Sequence, residues 1–207
     1  MKLYGFPLSG HSHRVELFLN LLKLPYEFVP MPLAGGRHRT PEFLALNGFG
    51  EVPVLEDGDV VLADSTAILV YVAAKYDDSG RWLPRDPLGA ALVQRWLSAA
   101  SGKIAYGPAA ARMVTVFGAT IDHAYVKGVA VRLFEVMERE LQGRRYLVGE
   151  QATIADVAAF GYIEHAPEGG VSLKPYPNIR AWLANVRALP GFIAMPATQA
   201  GVAPEEV

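Results

Sequence analysis

The sequence predicts an α/β domain of order βαβαββα followed by an all-α helical domain. Three observations carry this. Short strand-like stretches alternate with helical periodicity as far as residue 76, turn chemistry gathers at 77–87, and long helical patterns follow. In that turn-rich segment, DDSGRWLPRDP, Gly80, Pro84 and Pro87 interrupt helix while Asp77, Asp78, Ser79 and Asp86 satisfy turn backbone. The expected boundaries are 1–77 for the first domain, 78–87 for a linker and 88–207 for the helical domain.

Lys2–Phe6 reads as a short strand. A helix from about Ser12 to Lys23 follows, with Val15, Phe18, Leu19 and Leu22 on one face. Leu24-Pro25 ends it, and Tyr26–Val29 is the second strand. Thr40-Pro41-Glu42 opens a short helix through Leu46 with a hydroxyl cap, a proline and an acid in the first turn. VPVLE at 52–56 and VVLA at 60–63 flank a DGD turn, in which Asp57-Gly58 supplies positive φ for a hairpin. Asp64–Tyr76 is helical, with Ile68, Val72 and Tyr76 at i,i+4.

The second domain offers helices at about 89–106, 122–141, 153–165 and 177–189. Leu92, Val93, Trp96 and Leu97 form one apolar stripe; Val126, Leu133, Met137 and Leu141 form another. Gly107-Pro108 is expected to break the first of these helices. Thr153-Ile154-Ala155-Asp156 is close to a capping box and is assigned to folding. The tail beyond Pro196, ending APEEV, is expected to be loose.

At ~150 residues per domain, 207 residues allow one large domain or two small ones. A 51% hydrophobic chain with net charge −2 is globular and gives no electrostatic reason for a nucleic-acid surface. The balance is uneven along the chain: residues 1–80 carry six basic and ten acidic side chains, the remainder thirteen and eleven. Cys 0 excludes a disulfide scaffold, a cysteine nucleophile and a thiolate metal site, so any thiol must arrive with a ligand. No aliphatic run reaches membrane-spanning length, and a soluble cytoplasmic protein is expected.

Four segments are candidates for chemistry. In SGHSHR, Ser9 and Ser12 stand between strand and helix, where hydroxyls and free N–H groups stabilise an anion; Ser12 also reads as a plain helix cap. In Glu51-Val52-Pro53, a cis proline would turn the Val52 backbone outward to pair with a peptide-like ligand. Asp64-Ser65 offers a carboxylate for an amine and a hydroxyl for a carboxylate, or simply a cap. His38 in GGRHR, with Arg37 or Arg39, either meets a ligand carboxylate or belongs to a solvated basic loop. His11 and His13 lie near Ser9, while His123 and His165 read as helix-surface or core-edge residues. No Ser–His–acid elbow, zinc spacing or nucleotide loop is present.

The stretches MKLYGFPLSGHSHRVELFLNLLKLPYEF, TPEFLALNGFGEVPVLEDGD, LADSTAILVYVAAKY and YLVGEQATIADVAAF resemble the glutathione transferase family in a bacterial-like, serine-type form. The resemblance covers most of the chain and is most specific over residues 1–76 and 146–160. It implies a thioredoxin-like first domain that binds glutathione as cosubstrate, a helical domain that supplies the electrophile pocket, and a homodimer acting in detoxification, without metal, nucleotide, nucleic acid or membrane.

Carried onto this chain, the family pattern makes Ser9 the thiol-activating hydroxyl, with Ser12 as alternate. Val52 would pair with the cysteinyl backbone beside cis-Pro53, Asp64 and Ser65 would hold the γ-glutamyl end, and His38 or Arg39, with Glu51, would lie near the glycyl end. His11, Trp96, Tyr106, Met113 and Phe117 would serve the electrophile. Asp64 stands where glutamate is common, one methylene shorter. His11, where cysteine-bearing classes place their reactive residue, argues against disulfide reduction. Serine five residues before Arg14 also resembles the maleylacetoacetate isomerase branch. Glutathione-dependent cis-trans isomerisation and a non-catalytic glutathione- or ligand-binding module are therefore the alternative functions.

Overall fold

The computed structural model describes residues 1–200. Its first layer is a four-stranded sheet of order β2-β1-β3-β4, formed by β1 (Lys2–Gly5), β2 (Glu27–Pro30), β3 (Val54–Asp57) and β4 (Val60–Ala63). Leu3 lies between Phe28, on a parallel neighbour, and Leu55, on an antiparallel one. The hairpin differs by one residue from the sequence expectation. Asp57 pairs with Val60, which leaves Gly58-Asp59 as the loop, with Gly58 at φ 63°. Asp57 Oδ2 instead accepts from Tyr71 at 2.8 Å, Lys75 at 2.7 Å and Tyr76 at 2.6 Å, fastening the hairpin to the next helix.

Helices α1 (Gly10–Leu21) and α3 (Ser65–Tyr76) pack on each other, and Val15, Phe18, Leu19, Ile68, Leu69 and Val72 are buried with Leu3 and Leu55. The short α2 (Pro41–Leu46), capped by Thr40, places Phe43 in a separate small cluster with Met31 and Val54. The chain between Tyr76 and Pro87 is non-helical and is anchored by Trp82, which is buried with its ring edge-on to Phe18 at 5.2 Å.

The helical domain comprises α4 (Pro87–Ala99), α5 (Ala110–Phe117), α6 (His123–Glu140), α7 (Ile154–Glu164) and α8 (Pro177–Arg187). Gly107-Pro108 does not break the first helix of this domain, contrary to the expectation. A ten-residue π-helical segment, Ala100–Ala109, carries the helix through into α5. Wider turns change which carbonyls are paired, and so tolerate a residue without an N–H. Gly107 has a second reason to be glycine: a Cβ there would lie 3.1 Å from the Ala130 nitrogen of α6.

Helix α7 is the centre of the molecule, buried from Ile154 to Ile163 and touching α1, α3, α4 and α8. Its capping box is formed. Thr153 Oγ1 accepts from the Ala155 N–H at 3.2 Å, and Asp156 Oδ2 accepts from the Thr153 N–H at 2.9 Å and from its hydroxyl at 3.2 Å. Thr153→Ala is expected to cost about 1–2 kcal/mol, at the upper end of the cap range because both partners are buried, read as a lowered midpoint in urea.

Among the described residues after Pro196, the Thr198 N–H donates to Glu168 Oε1 at 2.8 Å. The terminal APEEV, expected to be loose, lies outside the described residues.

Candidate active site

The turn between β1 and α1 is the first component of the site. Helix α1 begins two residues earlier than its periodicity indicated, so Ser9 is the cap rather than Ser12: Ser9 Oγ accepts from the Ser12 N–H at 3.3 Å. That contact uses a lone pair and leaves the Ser9 hydroxyl proton to donate, so capping and anion stabilisation coexist on one atom. Ser12 is corrected to a structural residue. It is 1% exposed, and its Oγ accepts the Phe6 N–H at 3.1 Å from within the fold, so it has no face toward a ligand. The Ser9 N–H closes the same turn on the Phe6 carbonyl at 2.9 Å.

A cleft of about 300 Å³ opens at the first turn of α1, lined by His11, Asn47, Phe49, Glu51, Val52, Pro53, Asp64 and Ser65, with Ser9 two residues before His11 and outside the lining. The Val52–Pro53 bond is cis. Val52 lies just before β3, and among the described residues neither its N–H nor its carbonyl is taken by another group. Asp64 sits at φ 68°, ψ 120°, a conformation that non-glycine residues rarely adopt. It is held there because Oδ1 accepts the N–H groups of Thr66 and Ala67, both at 2.8 Å, and the Thr66 hydroxyl at 2.5 Å. None of these donors engages Oδ2. Partial burial raises the Asp64 pKa, but the hydrogen bonds from Thr66 and Ala67 outweigh it and the net shift is downward, so the carboxylate is ionised at neutral pH.

Beneath Ser65 lies a cation that sequence pattern did not single out. Arg14 is 1% exposed, its Nη1 donates to Ser65 Oγ at 3.2 Å, and its Nε is buried without a partner. Burial lowers its pKa to about 10, which still leaves it protonated at neutral pH. Positive charge therefore lies beneath Ser65, and the neighbouring Asp64 carboxylate interacts with it electrostatically. Such a pairing suits a zwitterionic amino-acid group. His11 Nδ1 is 3.4 Å from the same Ser65 Oγ, and its ring stands edge-on to Tyr162 at 5.0 Å. Burial, and then the Arg14 charge, push its pKa down to about 3, so His11 is a neutral imidazole in the cleft wall.

The other expected site residues divide into three groups. His38 and Arg39 occupy a 3-10 turn, Arg37–Arg39, and do not line the cleft; Arg39 Nη1 instead donates to the Phe49 carbonyl at 3.1 Å, bracing the loop that forms the rim. Trp96 and Tyr106 line a separate groove of about 840 Å³ between α4 and α6, so they neither fill the cleft nor face it. Met113 and Phe117 are half exposed on α5, and Phe117 meets Phe6 of the β1–α1 turn at 6.1 Å.

Asn47 is a rim residue with no signal beyond its place in a turn. Its Nδ2 donates to the Glu51 carbonyl at 2.8 Å and its Oδ1 accepts the Phe49 N–H at 3.1 Å, which shapes the loop from 47 to 51. Gly50, at φ 60°, has the His38 carbonyl where a Cβ would come within 2.8 Å. Among the described residues, no group of three His, Cys, Asp or Glu is placed to hold a metal, and no helix is long and apolar enough to cross a membrane.

Comparison with known proteins accords with this layout. Residues 3–80 match the family described as glutathione S-transferase, N-terminal domain, and residues 121–190 match glutathione S-transferase, C-terminal domain. The chain is 36% identical over 206 residues to glutathione S-transferase 3 of Zea mays, covering 93% of this chain and 91% of that protein. It is 31% identical over 200 residues to human glutathione S-transferase theta-2, covering 92% and 82%. Among solved structures, a glutathione S-transferase from Pseudomonas fluorescens superposes with a TM-score of 0.89 at 34% identity, covering 95% of this chain and 98% of the other. A glutathione transferase homologue from Drosophila mojavensis with bound glutathione superposes at 0.83 and 30% identity, covering 91% and 88%. With both domains matched and this likeness running through nearly the whole length, the chain belongs to the glutathione S-transferase family.

Proposed function

We propose that this protein conjugates glutathione to a hydrophobic electrophile, with Ser9 as the thiol-activating hydroxyl. The observation that carries the reading is the cap geometry: Ser9 Oγ accepts the Ser12 N–H and keeps its own proton for a sulfur anion at the positive end of α1. A donor to the anion lowers the thiol pKa, and the thiolate sulfur then attacks carbon. With an aryl halide a C–S bond forms, the C–halogen bond breaks, halide leaves with the bonding pair, and the thiol proton passes to solvent. The sulfur comes with glutathione, since this chain has no cysteine.

The remaining cleft residues divide the tripeptide between them. The γ-glutamyl carboxylate goes to Ser65 above the Arg14 cation, and the γ-glutamyl amine goes to the uncommitted Oδ2 of Asp64. The free N–H and carbonyl of Val52 take the cysteinyl backbone, and Glu51 stands toward the glycyl end. Arg39 acts on that end indirectly, through its hydrogen bond to the loop that forms the rim, with His38 beside it in the same turn. Phe117, beside Phe6, and Met113 one turn earlier on α5 supply apolar surface for the electrophile. A homodimer and a cytoplasmic, detoxifying role belong to the same reading by family resemblance, and sedimentation equilibrium tests the dimer. Isomerisation is the less favoured reaction, because the relatives compared above carry transferase names.

Titration with glutathione tests the proposal: a thiolate absorbance with a pKa below that of the free thiol is expected, and absence of binding at millimolar glutathione would sink it. Asp64→Ala is expected to raise KM for glutathione about tenfold or more, the worth of one charge-assisted hydrogen bond, while leaving kcat within a factor of a few. Because the Asp64 pKa is depressed, its contribution to glutathione binding is present at all pH values above about 4 and is lost only as pH falls through the lowered value. KM measured from pH 5 to 8 should show no step from this group.

A further inference from the structure

Arg112, on α5 in the helical domain, is a buried cation that divides its donors between two destinations. It is 2% exposed; Nε donates to Glu168 Oε2 at 2.6 Å, and Nη1 donates to the Leu8 carbonyl at 2.7 Å. Its Nη2 is buried with no partner. An arginine whose task was only to neutralise Glu168 would place two nitrogens on that carboxylate. Here one is spent on a main-chain carbonyl in the other domain, in the residue immediately before Ser9.

The far side of Arg112 is made rigid. Glu168 Oε1 is 2.7 Å from His165 Nδ1 and accepts the Thr198 N–H at 2.8 Å, while the Thr115 hydroxyl donates to the Glu168 carbonyl at 2.5 Å. This knot joins α5, the turn after α7 and the chain near Thr198. By contrast, the polar contacts that hold the Phe6–Ser9 turn from inside its own domain are local: the Ser9 N–H on the Phe6 carbonyl, and the Phe6 N–H on Ser12 Oγ. Among the described residues, the polar restraint on that turn from the helical domain is Arg112, with the Phe6–Phe117 ring contact beside it.

We propose that Arg112 is a positioning residue for thiol activation: by holding the Leu8 carbonyl from the helical domain, it sets where the Ser9 hydroxyl stands relative to the glutathione sulfur. The inference rests on the assignment of Ser9 above. It makes the activity of the first domain depend on a donor from the second, and displacements of the order of an ångström are enough to matter for a hydrogen bond to a reacting atom.

The test uses Arg112→Lys, which keeps a buried positive charge for Glu168 but cannot span both Glu168 and Leu8, and Arg112→Met, which removes every donor. Conjugation of chlorodinitrobenzene and the pKa of bound glutathione thiol are measured for each. Arg112→Lys is expected to lower kcat about tenfold, with KM for glutathione moving less than about threefold and the thiol pKa moving up toward the free value. In a Ser9→Ala background the same substitution should produce little further loss, because both changes act on one contact. An Arg112→Lys protein that keeps its kcat and thiol pKa overturns the proposal, as does a loss that simply multiplies with that of Ser9→Ala. Should Arg112→Met fail to fold, Arg112→Lys decides alone. Retention of thiol activation by Ser9→Ala itself would instead overturn the assignment of Ser9, which keeps the two failures apart.

Discussion

Ser9→Ala is expected to reduce kcat/KM for conjugation at pH 7 by about tenfold to twenty-five-fold, the fall in the ionised fraction of bound thiol when one donor to the anion is lost. A hydrogen bond to a charged group contributes about 1.5–3 kcal/mol, which is about one to two units of pKa. From a free thiol near 8.5, that places the bound thiol between about 6.5 and 7.5, so that roughly half is ionised at neutral pH. Without the hydroxyl only a few per cent is. The loss should therefore be largest near pH 7 and shrink above about pH 9, where even an unassisted thiol is ionised.

The substitution also removes the cap of α1, at about 1 kcal/mol, so stability must be measured beside activity. Ser12→Ala is the contrast: it removes an internal acceptor for the Phe6 N–H and should lower stability while leaving the thiol pKa within about half a unit in the protein that remains folded. A thiol pKa that follows Ser12 rather than Ser9 would reverse the assignment of the two serines.

The difference between those serines shows what the sequence carried and where it stopped. The order of elements along the chain, the hairpin, the Thr40 and Thr153 caps and the division into two domains follow from periodicity and turn chemistry, which are local. Whether helix α1 begins at Gly10 or Ser12 is also local, but both serines are good caps and periodicity is silent about the first turn. The continuity of the helix through Pro108 was hidden for another reason. Proline normally ends a helix, and the π-helical accommodation is favoured by close packing against α6 at Gly107, a contact between distant parts of the chain.

Arg14 and Arg112 were the least legible. A lone arginine among apolar residues reads like a surface cation, and only tertiary structure shows that each is fully enclosed, one under Ser65 and the other against Leu8. The residues expected at the electrophile divide for the same reason: Trp96 and Tyr106 share a helical stretch with Met113 and Phe117, but the sequence does not say which side of it faces the first domain.

Asp156→Ala is expected to destabilise the protein more than any surface or cap substitution, by about 3–5 kcal/mol, the cost of stranding the buried donors that its carboxyl group satisfies. Asp156 is 0% exposed and each carboxylate oxygen serves two donors: Oδ1 accepts the Leu147 N–H at 2.8 Å and the Trp182 indole N–H at 2.9 Å, and Oδ2 accepts the Thr153 N–H and hydroxyl. One side chain thus joins the start of α7 to the loop before it and to α8. Removing it strands three buried N–H groups, at about 1–3 kcal/mol each before relaxation or water entry offsets part of the cost. Against a total of about 5–15 kcal/mol for a folded protein, that is a large fraction.

Asp156→Asn distinguishes charge from connectivity. An amide preserves size, but whichever way it is turned, its NH2 faces a pair of donors where an oxygen stood. It should therefore recover less than half of the loss, whereas a residue needed only for packing volume would be replaced by Asn almost without cost. Urea midpoints for the two variants, with unchanged m-values, decide between these outcomes. Because α7 packs against α1, whose first turn carries Ser9, glutathione binding should weaken in the same denaturant range in which α7 unfolds. Retention of glutathione binding after the α7 signal is lost would show that the first domain holds its site without this helix.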